Sequence, residues 1–518
     1  MPRRTGRDST VLTTSMKLLD DDGKPLAHES VLRRALGGSY TVREVDVTTE
    51  VLTHLDTADW RLRRQGIDVA FVPSSGQLVA YRGSSRVEQP AGTIDWPALI
   101  SGIRDGPVRD LIQRAVSVRA LAPFATSEDH CKSFVVLNDD QKIVARVKWC
   151  QGVVQAPQEH QLPVRVRVES LRGYAEDADK VEQLLSLSTS LSATRGTWYE
   201  ALWAIPGLGP TATLRFGMQP AQAADLAVAD ALLGYLGEVE ANVEGIIADI
   251  DTEYLHDFRV AVRRTRSVLK LLGDVLPDGL AARIGDEFRW LGDVTSPTRD
   301  LDVYLLGIDD MAQLVARPGG LDAFGAHIRE RRAATHHTLA GALTSARFAE
   351  LCVAWRADLA AVMSAPSGHR MTAAQLAQER LHRVFRKATK RAKAITSESP
   401  SEQVHSLRKT CKEMRYLLEV FKPLCNPRAY QDVITDFKEL QDVLGDFQDG
   451  EVQAVALRQF AAEMMHDRSV DAESLLAMGE LAARFDVRQR HARDTLTKRH
   501  ETYLGRPAAA HVDRLLKP

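Results

Sequence analysis

His256-Asp257-Phe258-Arg259-Val260-Ala261-Val262-Arg263-Arg264-Thr265-Arg266-Ser267-Val268-Leu269-Lys270 decides how the second half of the chain is read. As a helix turning about 100° per residue, it places His256, Arg259, Arg263, Arg266 and Lys270 in a stripe about 80° wide. Phe258, Ala261, Val262, Thr265, Val268, Leu269 and Leu272 fall on the opposite side, so one face can enter a core. Like charges at i,i+4 repel by a few tenths of a kcal/mol. A stripe of one sign therefore points to an anionic partner. Arg264 lies in the same segment and is counted with it.

The pattern occurs twice. A shift of 149 residues carries His256 onto His405, Arg259 onto Arg408, Arg263 onto Lys412 and Arg266 onto Arg415. The same shift carries Phe288, Leu291, Asp293 and Asp300 onto Phe437, Leu440, Asp442 and Asp449. Two copies of one long multi-helix unit predict a pair of related bundles rather than a solenoid. Lys409 joins the second stripe. A third row, Arg383, Arg386, Lys390 and Lys393, precedes it, but its counterparts Gly234, Gly237, Ala241 and Glu244 are not basic. The charge is asymmetric where the architecture repeats.

Arginine offers a planar fork for two oxygens and lysine a point charge, so both suit phosphate. Neither His256 nor His405 has a second His or Cys at ligand spacing, which sets a metal role aside. Donation to an anion and a structural role at a helix start both fit the two histidines. Arg299-Asp300-Leu301-Asp302, Asp442 and Asp446-Phe447-Gln448-Asp449 read as lying near the starts of later helices. Their expected role is structural: pairing with the arginine rows or capping helices. Magnesium binding is the rival reading.

The chain has 518 residues, 44% hydrophobic and 26% charged, as expected of soluble globular protein. Lys+Arg at 67 against Asp+Glu at 69 gives a net charge of −2, so affinity for a polyanion must come from local clustering. No apolar run reaches the roughly 18 residues of a membrane span, and the basic N-terminus lacks the apolar stretch of a secretory signal. Cys131, Cys150, Cys352, Cys411 and Cys425 show no framework spacing, which predicts unpaired thiols in a reducing cytoplasm.

Residues 1–204 read as α+β with antiparallel strands near 42–53, 66–72, 77–82, 131–154 and 164–169, and with helix at 95–120 and 177–191. Residues 205–220 are rich in Pro and Gly and read as a linker. From 221 to 510 the pattern is helical, with breaks near Pro277, Pro297, Pro318, Pro366, Pro400 and Pro427.

The segments around His256–Arg266, Thr298–Val303, His405–Tyr416 and Leu440–Asp446 resemble the CHAD family, the conserved-histidine α-helical domain. That resemblance implies two related helical bundles, a basic surface binding inorganic polyphosphate, and association with polyphosphate granules. The N-terminal half resembles the CYTH family of triphosphate tunnel metalloenzymes, best at Glu50–Ile67, Val135–Val147 and Val164–Glu169. Such enzymes hold metal with an alternating-glutamate strand and grip triphosphate with basic residues inside a barrel. No Glu-x-Glu-x-Lys occurs in the first 50 residues here, and Asp68-Val69-Ala70-Phe71-Val72 stands where basic residues are expected.

The expectation is a degenerate tunnel-like antiparallel α+β domain followed by duplicated all-α bundles that bind polyphosphate without catalysis, metal or cofactor. One alternative is a metal-dependent triphosphatase in the N-terminal half, acting on tripolyphosphate or a nucleoside or thiamine triphosphate through Glu50 or Glu169. The other is a nucleic-acid-binding or scaffold module. The stripes carry no aromatic residue beside Tyr416, and single-strand binders stack bases on aromatic rings, so polyphosphate is the better fit.

Overall fold

The computed structural model describes residues 10–14, 28–83, 85–188, 192–193, 199–208, 217–365, 371–396, 398–504 and 506–516. The chain divides into two compact units, Met1–Thr213 and Leu214–Pro518.

The first unit is an antiparallel sheet. Its strands are β1 (Thr10–Thr14), β2 (Thr41–Thr57), β3 (Ile67–Val72), β4 (Gln77–Arg82), β5 (Ser85–Pro90), β6 (Leu121–Leu137), β7 (Ile143–Ala156), β8 (His160–Gln161), β9 (Val164–Ser170) and β10 (Ser192–Ala193). Four helices accompany them: α1 (His28–Leu36), α2 (Arg61–Arg64), α3 (Pro107–Val116) and α4 (Ala175–Ser188). The strand order is β10-β1-β9-β7-β6-β2-β3-β4-β5, with β8 beside β7. Among the described strands, the two ends of that order do not pair. The helix expected over 95–120 is reduced to a single turn at Ile100–Gly102 and to α3. Asp105-Gly106-Pro107 interrupts it, and Pro107 starts a new helix.

One apolar cluster joins Phe134, Val136, Trp149 and Val166 to Leu32, Leu36, Val181 and Leu185 of α1 and α4. A second joins Leu52, Val79 and Val154 to Tyr199, Leu202, Ile205 and Leu208. The reading of 205–220 as a linker is therefore too long: Ile205 and Leu208 belong to this core, while Met218 is buried in the helical one. Residues 209–216, and the turn read at Asp20–Pro25, lie outside the described residues.

The cysteine reading also needs correction. The β6–β7 register sets Cys131 opposite Cys150 with Cα atoms 4.1 Å apart, and the two form a disulfide. Strand register brings them together, and no spacing rule reveals it. Cys352, Cys411 and Cys425 are free and buried.

The second unit is helical: α5 (Ala224–Ile247), α6 (Thr252–Leu272), α7 (Leu280–Ala312), α8 (Asp322–Leu343), α9 (Ala346–Ser364), α10 (Ala373–Lys393), α11 (Ser401–Phe421), α12 (Pro427–His466), α13 (Ala472–Leu504) and α14 (Arg506–Arg514). Both ends of α6 coincide with those of α11 after the 149-residue shift. Caps punctuate the bundle. Asp251 accepts from the backbone amides of Glu253 and Tyr254 to start α6, Thr372 and Gln375 form a capping box on α10, and Asn426 with Pro427 opens α12. At Gly245 a Cβ would stand 2.3 Å from the Tyr254 ring, so glycine lets α6 approach α5.

One core draws on both copies, including Phe258, Phe288, Trp355, Leu407, Phe421 and Phe437. A second lies among the far halves of α7 and α12 with α8 and α13, where Tyr304, Phe324 and Phe460 meet edge to face or tilted. The long helices α7 and α12 span both cores. Pro297 does not break α7, contrary to expectation. Proline removes one rung of the helix, and the turn before it is held from outside. Arg259 Nη1 donates to the Gly292 carbonyl (3.2 Å), Thr295 Oγ1 (2.8 Å) and Ser296 Oγ (2.9 Å). Asp300 and Asp302 in α7, and Asp442, Asp446 and Asp449 in α12, therefore stand mid-helix and cap nothing.

Candidate functional site

The apolar side of α6 is buried as its periodicity predicts, at Leu255, Phe258, Ala261, Val262, Thr265, Val268, Leu269 and Leu272. Its opposite side faces a groove of about 830 Å³. Arg263, Arg266 and Lys270 of α6 line one part, Arg289 of α7 another, and Lys409 and Lys412 of α11 a third. Asp286 and Glu413 are the acids among the lining residues. Cations of both copies thus converge on one groove.

The convergence follows a pseudo-two-fold relation. Arg263 and Lys412 occupy the same position in their copies, and each lies in the other's field. Burial, reinforced by Arg408 and Arg263, pushes the Lys412 ammonium down to about 8. The Arg263 guanidinium stands 5.8 Å from the Tyr416 ring centre, a cation–π distance. Arg259 and Arg408, also equivalent, are both held below the usual arginine range by burial. Asp300 opposes the first shift and Asp449 the second. Arg408 Nη2 lies 3.9 Å from Asp449 Oδ1.

The same relation generates two ion ladders with inverted charges. In one, Arg264 contacts Glu238 of α5 (3.4 Å) and Glu419 of α11 (2.9 Å). In the other, Glu413 of α11 contacts Lys387 of α10 (3.2 Å) and Lys270 of α6 (2.6 Å). Positions 238, 264 and 419 map onto 387, 413 and 270 under the shift, so Glu–Arg–Glu is answered by Lys–Glu–Lys. Burial works against the charges of Arg264 and Glu413. The Glu419 carboxylate outweighs it for Arg264, and the Lys270 and Lys387 hydrogen bonds outweigh it for Glu413.

Several expected ligands lie outside the groove lining. Arg264 sits in a ladder and does not line the groove, and on the wheel it stands about 80° from His256, away from the stripe. Arg415 turns to Glu419 (2.8 Å), whereas its mate Arg266 approaches Gly292 so closely that a Cβ there would lie 2.7 Å from Nη1. Arg383 pairs with Glu379, and Arg386, Lys390 and Lys393 are exposed on α10 outside the groove lining. The carboxylates also divide. Asp302 pairs with Arg332 and Asp446 with Arg488, neither in the arginine rows; among the described residues Asp449 lies at ion-pair distance from Arg408, and Asp300 acts on Arg259 through its field. The rows read from sequence leave out Arg289, Lys387 and Glu413, and the partners of Glu413 lie on other helices.

The histidines are not equivalent. Arg299 Nη2 lies 3.1 Å from His256 Nδ1. Because arginine can only donate, Nδ1 accepts and Nε2 carries the hydrogen. Burial and then Arg299 hold His256 below its ordinary range, so it is a neutral donor near pH 7. His405 Nε2 instead lies 2.8 Å from Glu451.

The model of the CHAD domain matches residues 230–458. The helical unit carries a CHAD domain. Among solved structures, the CHAD domain from the plant Ricinus communis is 25% identical, with 56% of this chain and 94% of that one covered and a TM-score of 0.48. PptA from Streptomyces chartreusis is 16% identical, covering 56% and 99%, with a TM-score of 0.41. No curated protein matches the chain. Arg263, Arg408 and Lys412 all lie inside the CHAD match. No helix among the described residues is long and apolar enough to cross a membrane.

Proposed function

We propose that the CHAD domain binds inorganic polyphosphate, without turning it over, in the groove between α6, α7 and α11. The observation that carries this reading is the meeting of Arg263 and Lys412, two equivalent cations from two copies, beside Arg266, Lys270, Arg289 and Lys409. Facing cations repel when free, and a linear polyanion relieves that repulsion. Among the described residues, Tyr416 is the one aromatic side chain lining the groove, and it is only 8% exposed. That offers bases little to stack on. On this reading the protein associates with polyphosphate granules.

The N-terminal unit fits a CYTH-like sheet that has given up its chemistry. Arg165 of β9 is buried with Asp129 (2.8 Å apart, each 3% exposed) and lies over the Tyr199 ring, so part of its charge is answered inside the sheet unit. Glu169 is exposed at the end of β9, whereas metal-assisted catalysis needs carboxylates held together around the ion.

Polyphosphate should raise the melting temperature and retain the protein at low salt. If about eight phosphates are neutralised, log K should fall against log salt with a slope near −5 to −6, by analogy with single-stranded nucleic acid. No retention together with an unchanged melting curve would refute the proposal. Gly285 offers a cleaner control. It lines the groove in the second turn of α7, and a Cβ there meets nothing within 4 Å. Gly285→Trp should leave folding intact, since glycine is the poorer helix former by roughly a few tenths of a kcal/mol, yet obstruct binding by roughly tenfold or more.

The depressed Lys412 gives a pH signature. It faces Arg263 of α6, Arg408 and Arg415 of its own helix, and Asp449 of α12. An anion favours the charged ammonium, so the complex holds more protons than the free groove. Binding should take up protons near pH 8 and weaken as pH rises through 8. Calorimetry in buffers of different ionisation enthalpy measures the uptake, and Lys412→Arg should remove it.

A further inference from the structure

We propose, building on the groove reading, that a long polyphosphate chain leaves the groove on one side only, along α10, and that this track sets a preference for long chains. Lys270 is the junction. It lines the main groove and also a smaller cavity of about 190 Å³ bounded by Arg383 and Arg380 of α10. Lys270 and Lys387 converge on the two oxygens of Glu413, so α10 adjoins the groove at this point. From Arg383 the exposed cations continue through Arg386 and Lys390 to Lys393. At a rise of roughly 1.5 Å per residue that run is about 15 Å long. Arg386, Lys390 and Lys393 have no ion-pair partner among the described residues, whereas Arg383 pairs with Glu379.

The track has no mirror image. Across the pseudo-two-fold, α5 carries Gly234, Gly237, Ala241 and Glu244 at the matching positions, so the opposite exit offers a chain no cations and one carboxylate. The groove wall is lopsided too. Ala281, Ala282 and Gly285 of α7 leave it open, whereas α12 has Tyr430, Gln431 and Ile434 in their places. Lys390 and Lys393 also sit in the last helical turn, where a cation complements the carbonyl end. That accounts for neither Arg386, a turn earlier, nor the uniform sign of the row.

The test compares tripolyphosphate with a chain of about a hundred phosphates, using full-length protein and competition titrations at several salt concentrations. The variant Arg386→Ala/Lys390→Ala/Lys393→Ala changes only exposed side chains. It should bind the long chain roughly 10- to 100-fold more weakly, with a salt slope shallower by about 2, and bind tripolyphosphate as the wild type does. Arg263→Glu/Lys412→Glu should lose both ligands. Unchanged long-chain affinity in the α10 variant would overturn the track and leave the groove standing. Equal loss of both ligands would overturn it as well, by making the row part of the short-chain site. A wild-type protein that binds neither ligand would remove the groove reading and the track together.

Discussion

Arg263→Glu combined with Lys412→Glu should abolish binding of polyphosphate while leaving the helical unit folded. Both side chains line the groove and occupy the position where the two copies meet. Each charge-assisted contact contributes on the order of 1 kcal/mol at such a surface. A reversal removes the attraction and adds a comparable repulsion. Two reversals therefore amount to roughly 4 kcal/mol, or about a thousandfold in affinity. The free variant should melt no lower than wild type, because an Arg263–Lys412–Arg408 repulsion is replaced by carboxylates beside Arg408 and Arg266. Fluorescence anisotropy with labelled polyphosphate at low salt measures the loss, and far-ultraviolet circular dichroism checks the fold. Wild-type affinity in this variant would remove the groove from consideration.

Much of this site is legible in sequence because an amphipathic helix states its buried side by period. Phe258, Val262 and Leu269 in α6, and Leu407, Met414 and Leu418 in α11, are buried as the wheel requires. The duplication is equally plain, since α6 and α11 share their bounds after one shift. What the wheel cannot supply is the identity of the facing element. Arg264 reads as part of a phosphate-binding row, yet Glu419 and Glu238 stand beside it. Arg415 carries the same sequence signal as Arg266 but turns to Glu419. The two ladders are invisible along the chain, because each ties a pair of consecutive helices to a helix of the other copy, 155 residues away at Arg264–Glu419 and 143 at Lys270–Glu413.

The sheet shows the same division. Strands β2, β3, β4, β6, β7 and β9 follow from runs of Val, Thr, Leu and Ile between turn signals. Register does not, and it alone pairs Cys131 with Cys150. Shifts at Glu44/Asp46 and His54/Leu55 interrupt the alternation of the 17-residue β2, so inward and outward residues cannot be counted off along it. Pro297 is a converse case. A local rule predicts a break, and contacts from Arg259 on a neighbouring helix carry α7 through.

Arg264→Glu should cost the helical unit about 3 kcal/mol, and the inverted ladder shows how to recover it. The substitution sets a new carboxylate between Glu238 and Glu419, making three in a half-buried seam where one guanidinium had answered two acids. Breaking such a pair leaves uncompensated charge and is worth roughly 3–5 kcal/mol when fully buried. The lower end applies here, because Arg264 and Glu238 retain some exposure. The second copy already contains the remedy, Lys–Glu–Lys at the equivalent positions. Glu238→Lys/Arg264→Glu/Glu419→Lys therefore writes one ladder in the charges of the other. It should return stability to within about 1 kcal/mol of wild type, because neighbours in one network couple rather than add. Arg415 loses Glu419 in that variant, a small cost for a side chain more than half exposed. Urea unfolding followed by helical dichroism measures all three proteins. If the triple variant is no more stable than Arg264→Glu alone, the ladders are not interchangeable, and the pseudo-two-fold relation fails as an account of how the copies are joined.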